Sequence, residues 1–128
     1  MIKVIEIRKV IKGILKSQHS QVYYEHASDK AVYPYLVFDL PDSIDDGSME
    51  QFVLDVDGWD SPINGDTTTL ETLMDIVDKS LHRKTVVINN ELSMTFYREN
   101  RLPLKDDDKR IRRRKYIYQV RTHAKGGI

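Results

Sequence analysis

The chain has 128 residues, of which 40% are hydrophobic and 31% are charged, and its 20 basic and 20 acidic side chains give a formal net charge of zero. This length predicts one domain with its own core, and the absence of cysteine excludes disulfides, thiolate metal sites and cysteine nucleophiles. No apolar run reaches the roughly 18 residues that cross a bilayer, and no export signal is predicted.

The zero net charge conceals a strong asymmetry along the chain. Residues 1–64 carry eleven acids and six bases, which gives −5, whereas residues 65–128 carry nine acids and fourteen bases, which gives +5. A basic region of one copy can meet an acidic region of another, so this pattern favours head-to-tail stacking. The alternative is that both regions are simply solvated surface.

The first half predicts a helix followed by strands. Apolar residues at helical spacing indicate a helix over about residues 2–17, with one face formed by Val4, Ile7, Ile11, Ile14, Leu15 and Gln18. Alternating β-forming residues then indicate strands near residues 21–26, 34–40 and 50–57. Their inward positions are predicted to be Leu36, Phe38, Leu40, Phe52, Leu54 and Val56.

The second half predicts another helix and further strands. A helix over residues 67–82 has Leu70, Leu73, Val77 and Leu81 on one face. Thr68 and Glu71 have the spacing of a capping box at its start. Short strands are predicted at "TVVI" and near residues 92–98 and 115–123. The interval 101–114 is long for a hairpin connection, which predicts a projecting loop.

Two amphipathic helices and a sheet of four to six antiparallel or mixed strands can bury one another as two layers. The predicted fold class is therefore α+β, with both helices on one face of the sheet. The other face is predicted to carry Tyr35, Val37, Val53, Tyr97 and Ile117. This is more apolar than a solvated face requires, and indicates either a subunit contact or scattered surface aromatics.

No motif predicts catalysis, a cofactor or a metal. Asp55, Asp57 and Asp60 lack the spacing of a calcium loop, and the four histidines are dispersed. The arginines of "KDDDKRIRRRKY" could contact phosphates, but three adjacent aspartates and a pI near 6.9 argue against sequence-specific nucleic-acid binding. An enzyme is not expected.

Several stretches in order resemble one family. "YPYLVFDLPD", "LDVDGWD", "DTTTLETLMDIVDKSLHRK", "MTFYRENRLPLKDDDKRIRRR" and "YIYQVRTH" are together similar to the tail completion, or tail terminator, proteins of siphophages and prophages. The resemblance extends over about residues 2–123. It implies a structural virion assembly protein, made in the bacterial host cytoplasm, that forms a ring, usually a hexamer, on the head-proximal end of the tail tube. Its partners would be the major tail tube protein and head connector or neck proteins, with virion DNA passing nearby.

Candidate interface residues follow from charge and position. The predicted loop would become ordered against a neighbour, with basic residues of one copy meeting acidic residues of an adjacent copy or partner. The basic set is Arg101, Lys109, Arg110, Arg112, Arg113 and Arg114, and the acidic set is Asp42, Asp45, Asp46 and Glu50. The alternatives are a solvated flexible loop, another neck or head-closure component, and a small nucleic-acid-binding module that uses residues 109–115.

Overall fold

The computed structural model describes residues 4–45 and 50–124, and they form a mixed sheet of six strands with two helices on one face. In chain order the elements are α1 (Val4–Lys16), β1 (Val22–Tyr24), β2 (Tyr35–Asp45), β3 (Glu50–Asp60), α2 (Thr68–Leu81), β4 (Thr85–Val87), β5 (Leu92–Lys105) and β6 (Arg112–Ala124). The strands lie in the order β1-β2-β3-β6-β5-β4, with only the β1–β2 pair parallel. The predicted α+β class is confirmed.

The core lies between the helices and the sheet. Both predicted helix stripes are buried there, through Ile7, Ile11 and Leu15 of α1 and through Leu70, Leu73, Met74, Val77 and Leu81 of α2. The sheet contributes alternate residues of each strand, which include Phe38, Leu54, Phe96 and Tyr118. Val4 and Gln18 depart from the predicted stripe. Val4 stands at the first residue of α1 and is 47% exposed, and Gln18 lies beyond the end of α1 and is exposed.

The β2–β3 hairpin is longer than the sequence predicts. Strand β2 continues through Pro41 to Asp45, where it pairs with Glu50. A register shift between Asp39 and Asp42 accommodates the proline, which has no N–H to donate to the ladder. Proline therefore marks a bulge here, and the strand does not end at residue 40 as predicted.

The predicted loop over residues 101–114 is wrong. Strands β5 and β6 pair from Leu92 and Ala124 up to Lys105 and Arg112, so only residues 106–111 form the connection. The described part of β4 pairs with β5 only between Thr85 and Val87, and Pro103 therefore lies where β5 is an edge strand, which tolerates proline. The segment is a hairpin arm that extends the sheet.

The start of α2 also differs from the prediction. Thr68 does not form a capping box with Glu71. Instead its backbone N–H and hydroxyl both donate to Oδ1 of Asp66, at 2.9 and 2.6 Å. These bonds lower the pKa of Asp66. Glu71 is left available for Arg114, with which it forms an ion pair.

Helix α2 is fixed to the sheet by a polar contact inside the interface. The Tyr118 hydroxyl donates to Asp78 Oδ1 at 2.7 Å, and Arg98 of β5 forms an ion pair with the same carboxylate. Burial, and then the neighbouring Asp78, hold the pKa of Tyr118 well above its usual value, so this hydroxyl remains a donor. Among the described helices, none is long and apolar enough to cross a membrane.

Candidate assembly interface

The acidic and basic candidate residues lie at opposite ends of the sheet. Strand β3 pairs with β6 from Gln51 and Arg121 at one end to Asp60 and Arg112 at the other. With 11 residues in β3 and about 3.3 Å per residue, roughly 33 Å separates the ends. We call them the acidic end, where β2 ends and β3 begins, and the basic end, at the β5–β6 turn.

The acidic end holds three of the four predicted acidic residues. Asp42 pairs with Val53, and Asp45 with Glu50, at the last described positions of the β2–β3 hairpin. Asp46 lies outside the described residues. The same end presents Ile44, which is 61% exposed although it belongs to a paired strand. Sequence reasoning did not single out Ile44, and its place between acidic residues was the only available signal.

The basic end contains five of the six predicted basic residues, and several are engaged within the chain. Arg101 pairs with Tyr116, opposite Val56, and so lies nearer the middle of the sheet. The guanidinium of Arg110 donates to both carboxylate oxygens of Asp108, at 3.0 and 2.8 Å. Arg101 lies 6.0 Å from the ring centroid of Tyr116. Lys109 is exposed at the turn. The turn is thus partly neutralised by its own aspartates.

The three consecutive arginines of β6 alternate between the two faces of the sheet. Arg112 and Arg114 point to the helix side, where Arg112 donates to the carbonyl of Lys109 and Arg114 pairs with Glu71 of α2. Arg113 points to the opposite face. The period of two in a strand could have predicted this alternation, but the loop prediction concealed it.

The helix-free face of the sheet carries an aromatic row at its basic end. Tyr33 stacks on Tyr35 at 5.2 Å, Tyr35 stacks on Trp59 at 6.0 Å, and the Arg113 guanidinium lies 3.9 Å above the Trp59 ring. Tryptophan, tyrosine and arginine are the side chains that most often dominate the energy of protein interfaces. Trp59 is not among the interface residues predicted from the sequence.

Polar atoms next to this row lack partners. Asp57 Oδ1, Trp59 Nε1 and Arg113 Nε are buried without a hydrogen bond to any described residue. Asp57 makes only loose ion pairs, at 3.8 Å with Arg113 and 3.9 Å with Lys115. Burial raises the pKa of Asp57, against the opposing effect of the two cations. Such unpaired groups are suited to a polar partner placed over this face.

The apolar residues predicted for this face do lie on it. Tyr35, Val53 and Ile117 are half-buried, Val37 is 8% exposed and Tyr97 is 39% exposed. Both helices pack on the other face, so the described elements supply no second layer here. This is the arrangement expected of a surface that another subunit can cover.

A groove opens at the tip of the β5–β6 arm. It has a volume of about 540 Å³, and its apolar residues are Pro103, Leu104 and Ile111. Four cations and two aspartates also line it. We call this cavity the tip groove. Its apolar lining and net positive charge suit an apolar group flanked by acids.

The described residues contain no metal-binding arrangement. No group of three or more histidine, cysteine, aspartate or glutamate side chains is placed to hold a metal among them. The arginines and aspartates instead form contacts between elements.

Comparison with known proteins gives a likeness in fold. No protein-family model and no curated protein sequence matches this chain. Among solved structures, a chain of the virion of a native gene transfer agent particle has a TM-score of 0.68 at 10% identity, covering 88% of this chain and 90% of that chain. A second solved protein has a TM-score of 0.69 at 14% identity, covering 96% of this chain and 97% of its own. At these identities the likeness shows that the fold is shared along nearly the whole length.

Proposed function

We propose that this protein caps the head-proximal end of a phage tail tube, stops tube polymerisation and joins the tail to the head. The observation that carries this proposal is the fold shared with a virion chain over 88% of the length. The sequence resemblance to tail terminator proteins supports the same assignment. A structural role in a virion also fits the described charged side chains, which form ion pairs between elements of the fold.

The polarity of the molecule supports a ring of identical copies. Acidic and basic ends on opposite sides of one subunit form head-to-tail contacts, and such contacts close into a ring when the rotation per subunit divides a full turn. A hexamer is the expected assembly. Its mass, measured across a dilution series with and without tubes, tests the number of copies.

The capping function is tested with purified tail tubes. Labelled protein should bind at one end of each tube, seen by electron microscopy, and should halt elongation when tube subunits are added. Tubes incubated without the protein provide the control for elongation. Unchanged growth at saturating protein would contradict capping, whereas binding to purified connector alone would indicate another neck component.

A nucleic-acid-binding function is less well supported. Arg110 and Arg114 are paired with Asp108 and Glu71, so much of the basic stretch is neutralised within the chain. We expect only weak, salt-sensitive DNA binding, measured as a mobility shift at two salt concentrations. Tight, sequence-dependent binding that persists at high salt would overturn this view.

A further inference from the structure

Ile44 is an exposed apolar side chain on an otherwise polar end of the sheet. It is 61% exposed and pairs with Gln51, whereas Asp42, on the same face of β2, pairs with Val53. Within the described part of this hairpin, the side chains of Ile44 and Asp42 therefore project from the same face of β2. An apolar side chain with acidic neighbours is complementary to a cavity with apolar walls and a basic rim.

The tip groove has these properties and lies at the other end of the same sheet. Leu104 and Ile111 supply apolar walls, and Lys105 and Lys109 are exposed at its rim. Four cations and two aspartates line it, and because Glu71 of α2 neutralises Arg114, the net charge at the groove is +1. At about 540 Å³ the groove is large enough for one aliphatic side chain and its neighbours.

We infer that Ile44 of one copy inserts into the tip groove of the next, with Asp42 placed near Lys109. This inference rests on the ring assembly of the proposed function and names the surfaces that form it. Because the two surfaces are different and lie about 33 Å apart along β3, by the spacing used above, each copy can donate one and receive one. The contact is thus heterologous and can continue around a closed ring.

Disulfide formation between copies tests the contact directly, because the chain has no cysteine of its own. We would prepare Ile44→Cys and Ile111→Cys separately and oxidise each alone and as a mixture. The mixture should give a disulfide-linked dimer. A variant that carries both changes in one chain should give a ladder of cross-linked species up to the number of copies in the ring. Each single variant alone should stay monomeric on a non-reducing gel.

A matched control uses Glu91→Cys, an exposed position at the same end of the sheet as Ile44 but on the turn before β5. Mixed with Ile111→Cys, it should give no more than about a tenth of the dimer, since cross-linking requires the sulfurs to come within bonding distance. Equal yields from both mixtures, or none from the Ile44 mixture at the highest soluble concentration, would overturn the contact.

Substitution provides an independent measurement. Ile44→Asp should raise the concentration needed for assembly at least about tenfold, because a charge would enter an apolar groove. Val87→Asp, at a position 53% exposed on the edge strand β4, should leave it unchanged. Thermal unfolding shows whether both variants fold.

Charge reversal tests the rim. Lys109→Glu should raise the assembly concentration about three- to fivefold, and Asp42→Lys in the same chain should restore it. If Asp42→Lys did not restore assembly, Asp42 would not be part of the contact.

The contact and the capping function can fail separately. Capping of tubes by a protein that does not cross-link would overturn the contact and leave the function intact. Cross-linked rings that do not affect tube growth would keep the contact and overturn the function.

Discussion

Single residues of the basic stretch have distinct partners, and this determines which charges can act outside the chain. Arg113 lies over Trp59, Arg114 pairs with Glu71 and Arg110 pairs with Asp108. Lys109 is exposed at the same turn. The run of arginines therefore stabilises the arm more than it offers free charge, and Lys109 is the better candidate for contact with a neighbour.

The Arg110 pair can be measured by titration. Its side chain, and then its backbone N–H, hold the pKa of Asp108 at about 2, below the ordinary value of 3.8. Because the folded-state pKa is the lower one, ionised Asp108 stabilises the turn above about pH 4 and loses that effect as pH falls through about 2. We expect Arg110→Ala to raise the pKa of Asp108 towards 3.8, as followed by NMR of the carboxyl carbon. Lys109→Ala should leave it low, and a low pKa in both variants would contradict the pairing.

Gly58 is required by close packing beneath α2. A Cβ atom at this position would lie 2.6 Å from Met74 Sδ and 2.9 Å from Leu70 Cδ1. We expect Gly58→Ala to lower the free energy of unfolding by about 1–3 kcal/mol, measured by urea denaturation. Gly13→Ala, where a Cβ meets nothing within 4 Å in α1, should instead raise it by about 0.5–1 kcal/mol.

Shortening Met74 should make room for that methyl group. The combined Gly58→Ala and Met74→Ala variant is expected to lose less stability than the two single losses added together. If the two losses in unfolding free energy were simply additive, movement of residues other than Met74 would have to make room for the Cβ atom at position 58.

At the scale of elements, α2 depends on one polar contact with two strands. Asp78 accepts from Tyr118 of β6 and forms an ion pair with Arg98 of β5. Tyr118→Phe should cost about 1 kcal/mol of unfolding free energy, whereas Asp78→Ala should cost about 3 kcal/mol because it leaves a buried hydroxyl and a cation unpaired. Chemical denaturation measures both. Equal losses would place the stabilisation in the hydrogen bond alone.

The periodicity of apolar residues predicts some elements of this fold and misses the β5–β6 arm. The stripes of α1 and α2 and the inward residues of β3 are evident because one face must be apolar over many residues. The β5–β6 arm was missed because it leaves the core, so its charges and Pro103 have the composition of a loop. Apolar residues recur periodically in a sequence because one face of an element is buried, so a hairpin arm that lies outside the core lacks this periodicity.

At the scale of the whole molecule, the candidate site was predicted in its charge but not in its geometry. The sequence separates acidic from basic residues, yet only strand register places them at opposite ends of one sheet. Register also brings Trp59 beside Arg113, which are 54 positions apart by their numbering. Long-range pairing of this kind is set by tertiary structure, and no local pattern encodes it.

The proposed contact between the acidic and basic ends predicts that assembly is sensitive to salt. The screening length falls from about 14 Å at 0.05 M to about 4 Å at 0.5 M salt, so attraction between the two charged ends should weaken while burial of Ile44 should not. We expect the concentration at half assembly, measured by light scattering, to rise about threefold to tenfold over this range. In the Lys109→Glu and Asp42→Lys double variant the two charges are exchanged. The concentration at half assembly should therefore rise with salt as it does in the unmodified protein. An assembly concentration that falls with salt would mean that apolar burial alone holds the copies together.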